Sequence, residues 1–124
     1  DEMLKRLPQQ EKFLDIKVSG SDIRLCCSDI VYAEHFAHII NIHTVAGKTL
    51  ATRQSFKVFT ESLKEDPRFF ICGRGVIVNL EQAEDFEADA FCMRDGSRVY
   101  VCQNLLKSAR QVFMEFLLQR GRIG

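Results

Sequence analysis

The stretch Phe69-Phe70-Ile71-Cys72-Gly73-Arg74-Gly75-Val76-Ile77-Val78-Asn79 decides how the rest of the chain is read. An apolar run meets a Gly-Arg-Gly interruption, and a second apolar run follows, closed by an asparagine. Two short apolar runs broken by glycine read as two buried strands joined by a tight connection. Glycine permits φ > 0 and the close approach of another surface. Arg74 is therefore presented at a strand-to-strand tip. On this stretch alone, presentation to a ligand and ordinary solvation of a turn arginine fit equally well.

Upstream, Phe13–Val18 alternates apolar and polar residues, the period of a half-buried strand. Ser19-Gly20-Ser21-Asp22 is a turn cluster, and residues 23–27 form the second arm of a hairpin. Residues 30–34 make another strand, interrupted by His35-Phe36-Ala37 and resumed over residues 38–44. Ala46-Gly47 then turns the chain into a returning strand over residues 48–52. The period changes at Phe56, Phe59 and Leu63, which share one helix face. Ser55 suits the N-cap of that helix, and Asp66-Pro67 its stop.

Downstream, residues 83–86 read as a weak strand. Residues 90–94 and 98–101 form a hairpin across Asp95-Gly96. Leu105, Leu106, Ala109, Val112, Phe113, Phe116 and Leu117 make a helical stripe that reads as core packing, with Gly121 as its end. The expected fold is mostly β: small antiparallel sheets, one embedded helix and one C-terminal helix.

The chain has 124 residues, 46% hydrophobic and 27% charged, which is the composition of one globular domain. Residues 1–12 are polar and contain Pro8, and read as the remnant of an interdomain linker; residues 13–124 are the domain. No apolar run is long enough to span a bilayer, and no basic-then-apolar N-terminal segment reads as a signal peptide. The five cysteines are Cys26, Cys27, Cys72, Cys92 and Cys102. No Cys-x-x-Cys pair occurs among them, and most lie in apolar runs, so they read as buried, reduced thiols in a cytoplasmic protein. Lysine plus arginine and aspartate plus glutamate number 17 each, for zero net charge. That argues against strong, sequence-blind attraction to phosphate, although distribution matters more than the sum.

Several segments carry a family resemblance. The opening stretch resembles the Phe-x-Arg-x-His-Arg-Ser-x-Ile-Val-Asn segment of the LytTR family of bacterial DNA-binding domains. These are the output domains of many two-component response regulators. Asp29-Ile30-Val31-Tyr32-Ala33-Glu34 resembles the family's Asp-Ile-x-Tyr-x-Glu strand, and His38-Ile39-Ile40-Asn41-Ile42-His43 the strand after it. Arg53-Gln54-Ser55-Phe56 opening a helix, and Asp95-Gly96 before a final strand, keep the family's order.

The resemblance implies sequence-specific, transcription-regulating binding of double-stranded DNA. Loops between strands would reach two successive major grooves and the minor groove between them, unlike the recognition helix of most DNA readers. It also implies paired DNA repeats, a homodimer on the DNA, an N-terminal receiver domain, and neither cofactor nor membrane.

Residue by residue, His38 matches a base-reading position in the first loop, and its alternative is a surface histidine at a strand start. His35 shares that loop at a less telling position, and His43 reads as a strand-surface residue. No third ligand lies near His35 and His38 to complete a metal site. Arg74 matches the second-loop arginine, which can fork to guanine or bridge phosphates. Around it Ile71, Gly73 and Gly75 replace a usual arginine, histidine and serine, and each swap removes a polar donor. Asn79 reads as a turn-stabilising asparagine. In the third loop Cys102-Gln103 stands where Ser-Arg is common. Gln103 and Asn104 suit either adenine contact or the cap of the terminal helix. Lys107 suits phosphate, and Arg53 suits either the DNA backbone or a carboxylate partner.

A second reading keeps the fold but makes the domain a non-catalytic interaction or dimerisation module with a weakened DNA surface. An enzyme is disfavoured, since no Walker-type loop and no nucleophile–base motif occurs.

Overall fold

The computed structural model describes residues 12–123, with side chains through Gln119. The linker expectation for residues 1–12 therefore lies outside the described residues, apart from Lys12.

The first hairpin joins β1 (Phe13–Val18) and β2 (Ser21–Cys26). Its alternation turns Leu14, Ile16 and Leu25 inward and leaves Asp15, Lys17 and Arg24 in water. A short 3₁₀ turn then leads into the central sheet. That sheet is built from β3 (Ile30–Phe36), β4 (Ile39–Thr44), β5 (Thr49–Arg53), β6 (Phe69–Gly73) and β7 (Val76–Asn79). Its order is β5-β4-β3-β7-β6, with every neighbouring pair antiparallel. The helix α1 (Phe56–Glu61) lies between β5 and β6. A three-stranded sheet follows, with β8 (Ala83–Glu87), β9 (Ala90–Met93) and β10 (Arg98–Tyr100) in the order β10-β9-β8. The helix α2 (Leu106–Ile123) ends the described chain.

One face of the central sheet is covered from β5 to β6, and the other is covered over β3, β7 and β6. One core gathers Leu14, Ile16 and Leu25 of the hairpin and Phe59 and Leu63 against Ala33, Ile40, Ile42 and Ile77. The other gathers Phe91, Met93, Val99, Ala109 and Phe113 against Val31, Cys72 and Val78. Strand β7 therefore sends Ile77 to one core and Val78 to the other. A strand buried on both sides reads as an unbroken apolar run, which is why Val76-Ile77-Val78 shows no alternation. Phe91 is wholly buried and meets Phe70, Phe86 and Phe113 edge-on, with centroids 6.2, 4.8 and 5.7 Å away. Truncating a ring in such a site to alanine costs about 3–5 kcal/mol.

The end of the central sheet at Asn79 is pinned by polar bonds. Asn79 is fully buried; its Nδ2 donates to Ile30 O (2.8 Å) and its Oδ1 accepts from Glu81 N–H (2.9 Å). Nearby, Arg68 forks onto Asp66, Nε to Oδ1 at 3.1 Å and Nη2 to Oδ2 at 2.8 Å, and Nη1 reaches Glu81 at 3.4 Å. Burial alone would raise the Asp66 carboxyl. The hydrogen bonds and charge of Arg68 outweigh it and hold the group below the ordinary carboxylate range.

Three boundaries differ from the sequence reading. His35 and Phe36 stay in β3, so the first loop shrinks to Ala37 and His38. The embedded helix stops at Glu61, although Ser55 Oγ accepts from Val58 N–H at 3.1 Å as its N-cap. Tighter turns, with Leu63 N–H bonded to Thr60 O and Asp66 N–H to Leu63 O, carry the chain on and still bury Leu63. The terminal helix passes through Gly121 to Ile123, since glycine inside a helix costs only about 1 kcal/mol.

Candidate nucleic-acid interface

The register of the central sheet sets the ends of its strands together. β3 rises to Phe36 and β4 descends from Ile39, while β5 rises to Arg53. β6 rises to Gly73 and β7 descends from Val76, which pairs with Glu34. One rim of the sheet thus carries the Ala37-His38 turn, the exit of β5 and the Arg74-Gly75 turn. Two backbone hydrogen bonds lace the loops together. His35 N–H, at the end of β3 that leads into the first loop, donates to Gly75 O of the second at 2.6 Å. Cys102 N–H donates to Cys72 O at 2.8 Å, tying the second to the third.

Ala37 and His38 both have positive φ, 52° and 67°. Such a turn matches the twist of paired strands and ordinarily takes Asn-Gly. Left-handed backbone costs a residue with a Cβ roughly 1–2 kcal/mol. His38 is exposed and makes no hydrogen bond with a described residue. Arg53 and Arg74 are also exposed, and neither pairs with a carboxylate among the described residues. The carboxylate partner considered for Arg53 is absent among those residues.

The second loop has a shape that its expected histidine and serine do not fit. Gly75 has φ +68°, and a Cβ there would stand 3.1 Å from His35 O. Gly73 has φ +156°, and a Cβ there would overlap Cys102 Sγ. Cys102 therefore fills the space that a side chain at residue 73 would need. The departures at 73 and 102 are two sides of one contact.

In the third loop, Cys102 rather than Gln103 or Asn104 stands at the start of the 3₁₀ turn before α2, and no side chain makes a capping bond there. Gln103 and Asn104 are both exposed, with no hydrogen bond to a described residue. Lys107 is exposed on the first turn of α2. Val101 N–H donates to Asp89 O at 2.9 Å, which sets the exposed Ala88-Asp89 turn beside this loop. An acidic side chain there opposes phosphate.

Sequence reading undervalued two rim residues. His35 is half-buried, its ring 6.3 Å from that of Phe56, and lines an open cleft of about 400 Å³ with His38, Arg53, Gln54 and Ser55. Phe36 is 78% exposed at the end of β3. An aromatic set between two histidines was the available signal, hidden by reading all three residues as loop.

His43 and Asn79 lie away from the rim. His43 stacks on Tyr32, with centroids 4.2 Å apart, and contacts Glu34 Oε2 at 3.0 Å and Thr49 Oγ1 at 3.2 Å. The thiols are less uniform than expected. Burial pushes Cys72 up to about 12 and Cys27 up to about 11, whereas Cys102 is exposed and Cys26 and Cys92 are half-buried. Among the described residues no cluster of histidine, cysteine or carboxylate groups suits a metal ion, and no helix is long and apolar enough to cross a membrane.

The model of the LytTr DNA-binding domain family matches residues 21–114. The chain belongs to the LytTR family. A solved LytTr DNA-binding domain, from a Bacillus cereus protein described as a methyl-accepting/DNA response regulator, has the same fold with a TM-score of 0.68. It is 22% identical, and the alignment covers 81% of this chain and 94% of that one. Comparison with curated protein sequences finds no match. The rim loops at Ala37-His38, Arg74-Gly75 and residues 102–104 all fall inside the LytTR match.

Proposed function

We propose that this LytTR domain binds double-stranded DNA sequence-specifically through its rim, as the transcription-regulating output domain of a response regulator. The observation that carries the reading is the convergence of the loops, laced by backbone bonds, with His38, Arg53, Arg74, Gln103, Asn104 and Lys107 exposed on or beside that one edge. Arg74 and His38 are the base-reading groups, and Arg53 and Lys107 meet phosphate. Gln103 and Asn104 have amides free to pair with adenine. A receiver domain would precede the linker, and two copies would occupy paired repeats in the cytoplasm.

The rim is only sparsely basic, so affinity is modest. Arg53 and Lys107 of two copies make about four phosphate contacts, which give log K a slope against log salt of roughly −3 to −4. Selection from random duplex DNA by the 124-residue chain tests the reading. Enrichment of one motif, bound with that slope, supports it. Failure to enrich any motif at low salt would sink it and favour the second reading, an interaction module on the same fold. The apolar or small residues at Ile71, Gly73, Gly75 and Cys102, together with Asp89 beside the third loop, motivate that alternative.

A further inference from the structure

Phe36 is the most exposed large apolar side chain of the described domain, at 78%, and its ring meets no other among the described residues. Other phenylalanines such as Phe59 and Phe91 are buried in the two cores, so the fold gains little by leaving this ring in water. Its position is set by register. Phe36 lies opposite Ile39 on β4, and Ile39 lies opposite Arg53 on β5. Residues directly opposite in an antiparallel sheet project from the same face. Phe36, Ile39 and Arg53 therefore form a row across three strands at the rim, beside the His38 turn.

We propose that Phe36 is a specificity-determining residue that reads the C5-methyl group of a thymine in the major groove. The inference rests on the DNA-binding reading above. A two-stranded ribbon fits the major groove, about 12 Å wide, and not the minor groove, about 6 Å wide. Phe36 sits on the shoulder of such a ribbon, just before the apex, and so faces the wall of the groove. The thymine methyl projects from that wall, and aromatic contact with it is a recognised mode of base discrimination. An apex position would instead suit a wedge between base steps. Arg53, in the same row, is placed to hold the flanking phosphate.

The test is a cycle between protein and DNA, using the selected duplex. Each thymine is replaced in turn by uracil, which removes only the methyl group. Kd is measured for wild type, Phe36→Ala and Phe36→Leu, with Arg74→Ala as a reference, and thermal melts confirm that each variant folds. At one thymine, uracil should weaken wild-type binding about three- to tenfold, in line with the burial of one methyl-sized group. Phe36→Ala should show a similar loss on the parent DNA and no further loss on the uracil duplex. Phe36→Leu should keep part of the methyl preference. The proposal is overturned if Phe36→Ala binds as wild type, or if its loss is the same with thymine and uracil at every position, as a wedge or sugar contact would give. Either result with Arg74→Ala still impaired leaves the DNA-binding reading standing. If wild type selects no DNA, that reading fails and the Phe36 contact falls with it.

Discussion

Arg74 and His38 are held on the rim in opposite ways, and their variants should separate accordingly. Arg74 is an exposed side chain on a turn whose neighbour, Gly75, takes the positive φ. Arg74→Ala should leave the melting temperature nearly unchanged, because the side chain packs against little. Specific binding should weaken by about 1–3 kcal/mol if the guanidinium forks to a base. Arg74→Lys keeps the charge and loses the fork, so base reading predicts little rescue and phosphate contact predicts substantial rescue. His38 carries its own backbone strain, at φ 67°. His38→Gly should stabilise the fold by roughly 1 kcal/mol in a denaturation curve while weakening DNA binding. Loss of stability would mean that the imidazole holds the turn. The exposed tip at Arg74 is legible in the sequence, because flanking glycines mark a tight connection. The strained turn is not, because histidine is no turn signal and Phe36 reads equally as strand or loop.

Among elements, the contact between the β6–β7 turn and the start of α2 is the least legible feature. Gly73 and Cys102 are far apart in sequence, and neither residue alone signals the other. Only the packing shows that the thiol fills the missing side chain's place. Gly73→Ala should cost about 1–3 kcal/mol, the usual penalty of overpacking, measured by denaturant unfolding. Adding Cys102→Ala should recover part of the loss, since it removes the sulfur that a Cβ at 73 would meet. Equal costs in both backgrounds would contradict the contact.

At the opposite end of the sheet, the Asp66–Arg68 clamp should make stability depend on acid. The Asp66 carboxyl is lowered in the fold, so its contribution is complete above the unfolded-state value, about 3.9, and is lost as pH falls through the lower folded-state value. Asp66→Ala should cost about 1.5–3 kcal/mol at neutral pH, typical of charged hydrogen bonds. The difference from wild type should shrink below about pH 4. A difference that stays constant down to acid would contradict the clamp. The hydrophobic periods make the strands and helices readable, whereas this pairing depends on a turn that sequence reading assigned to a helix stop.

For the whole molecule, the two cores on either side of the central sheet act as one rigid holder for its rim. On the proposed reading, this architecture lets a chain with 17 basic and 17 acidic residues present a DNA-binding edge. Basic and hydrogen-bonding side chains gather where strands end, and carboxylates such as Asp66 are engaged at the far end. That edge is the proposed binding surface. The most direct measurement is an amide NMR titration of the domain with its selected duplex at low salt. Shifts should concentrate at residues 35–39, 53–55, 72–76 and 102–107, and the distant turns at residues 45–48 and 66–68 should remain still. Shifts centred on those distant turns or on the exposed face of α2, with the rim unmoved, would contradict the account.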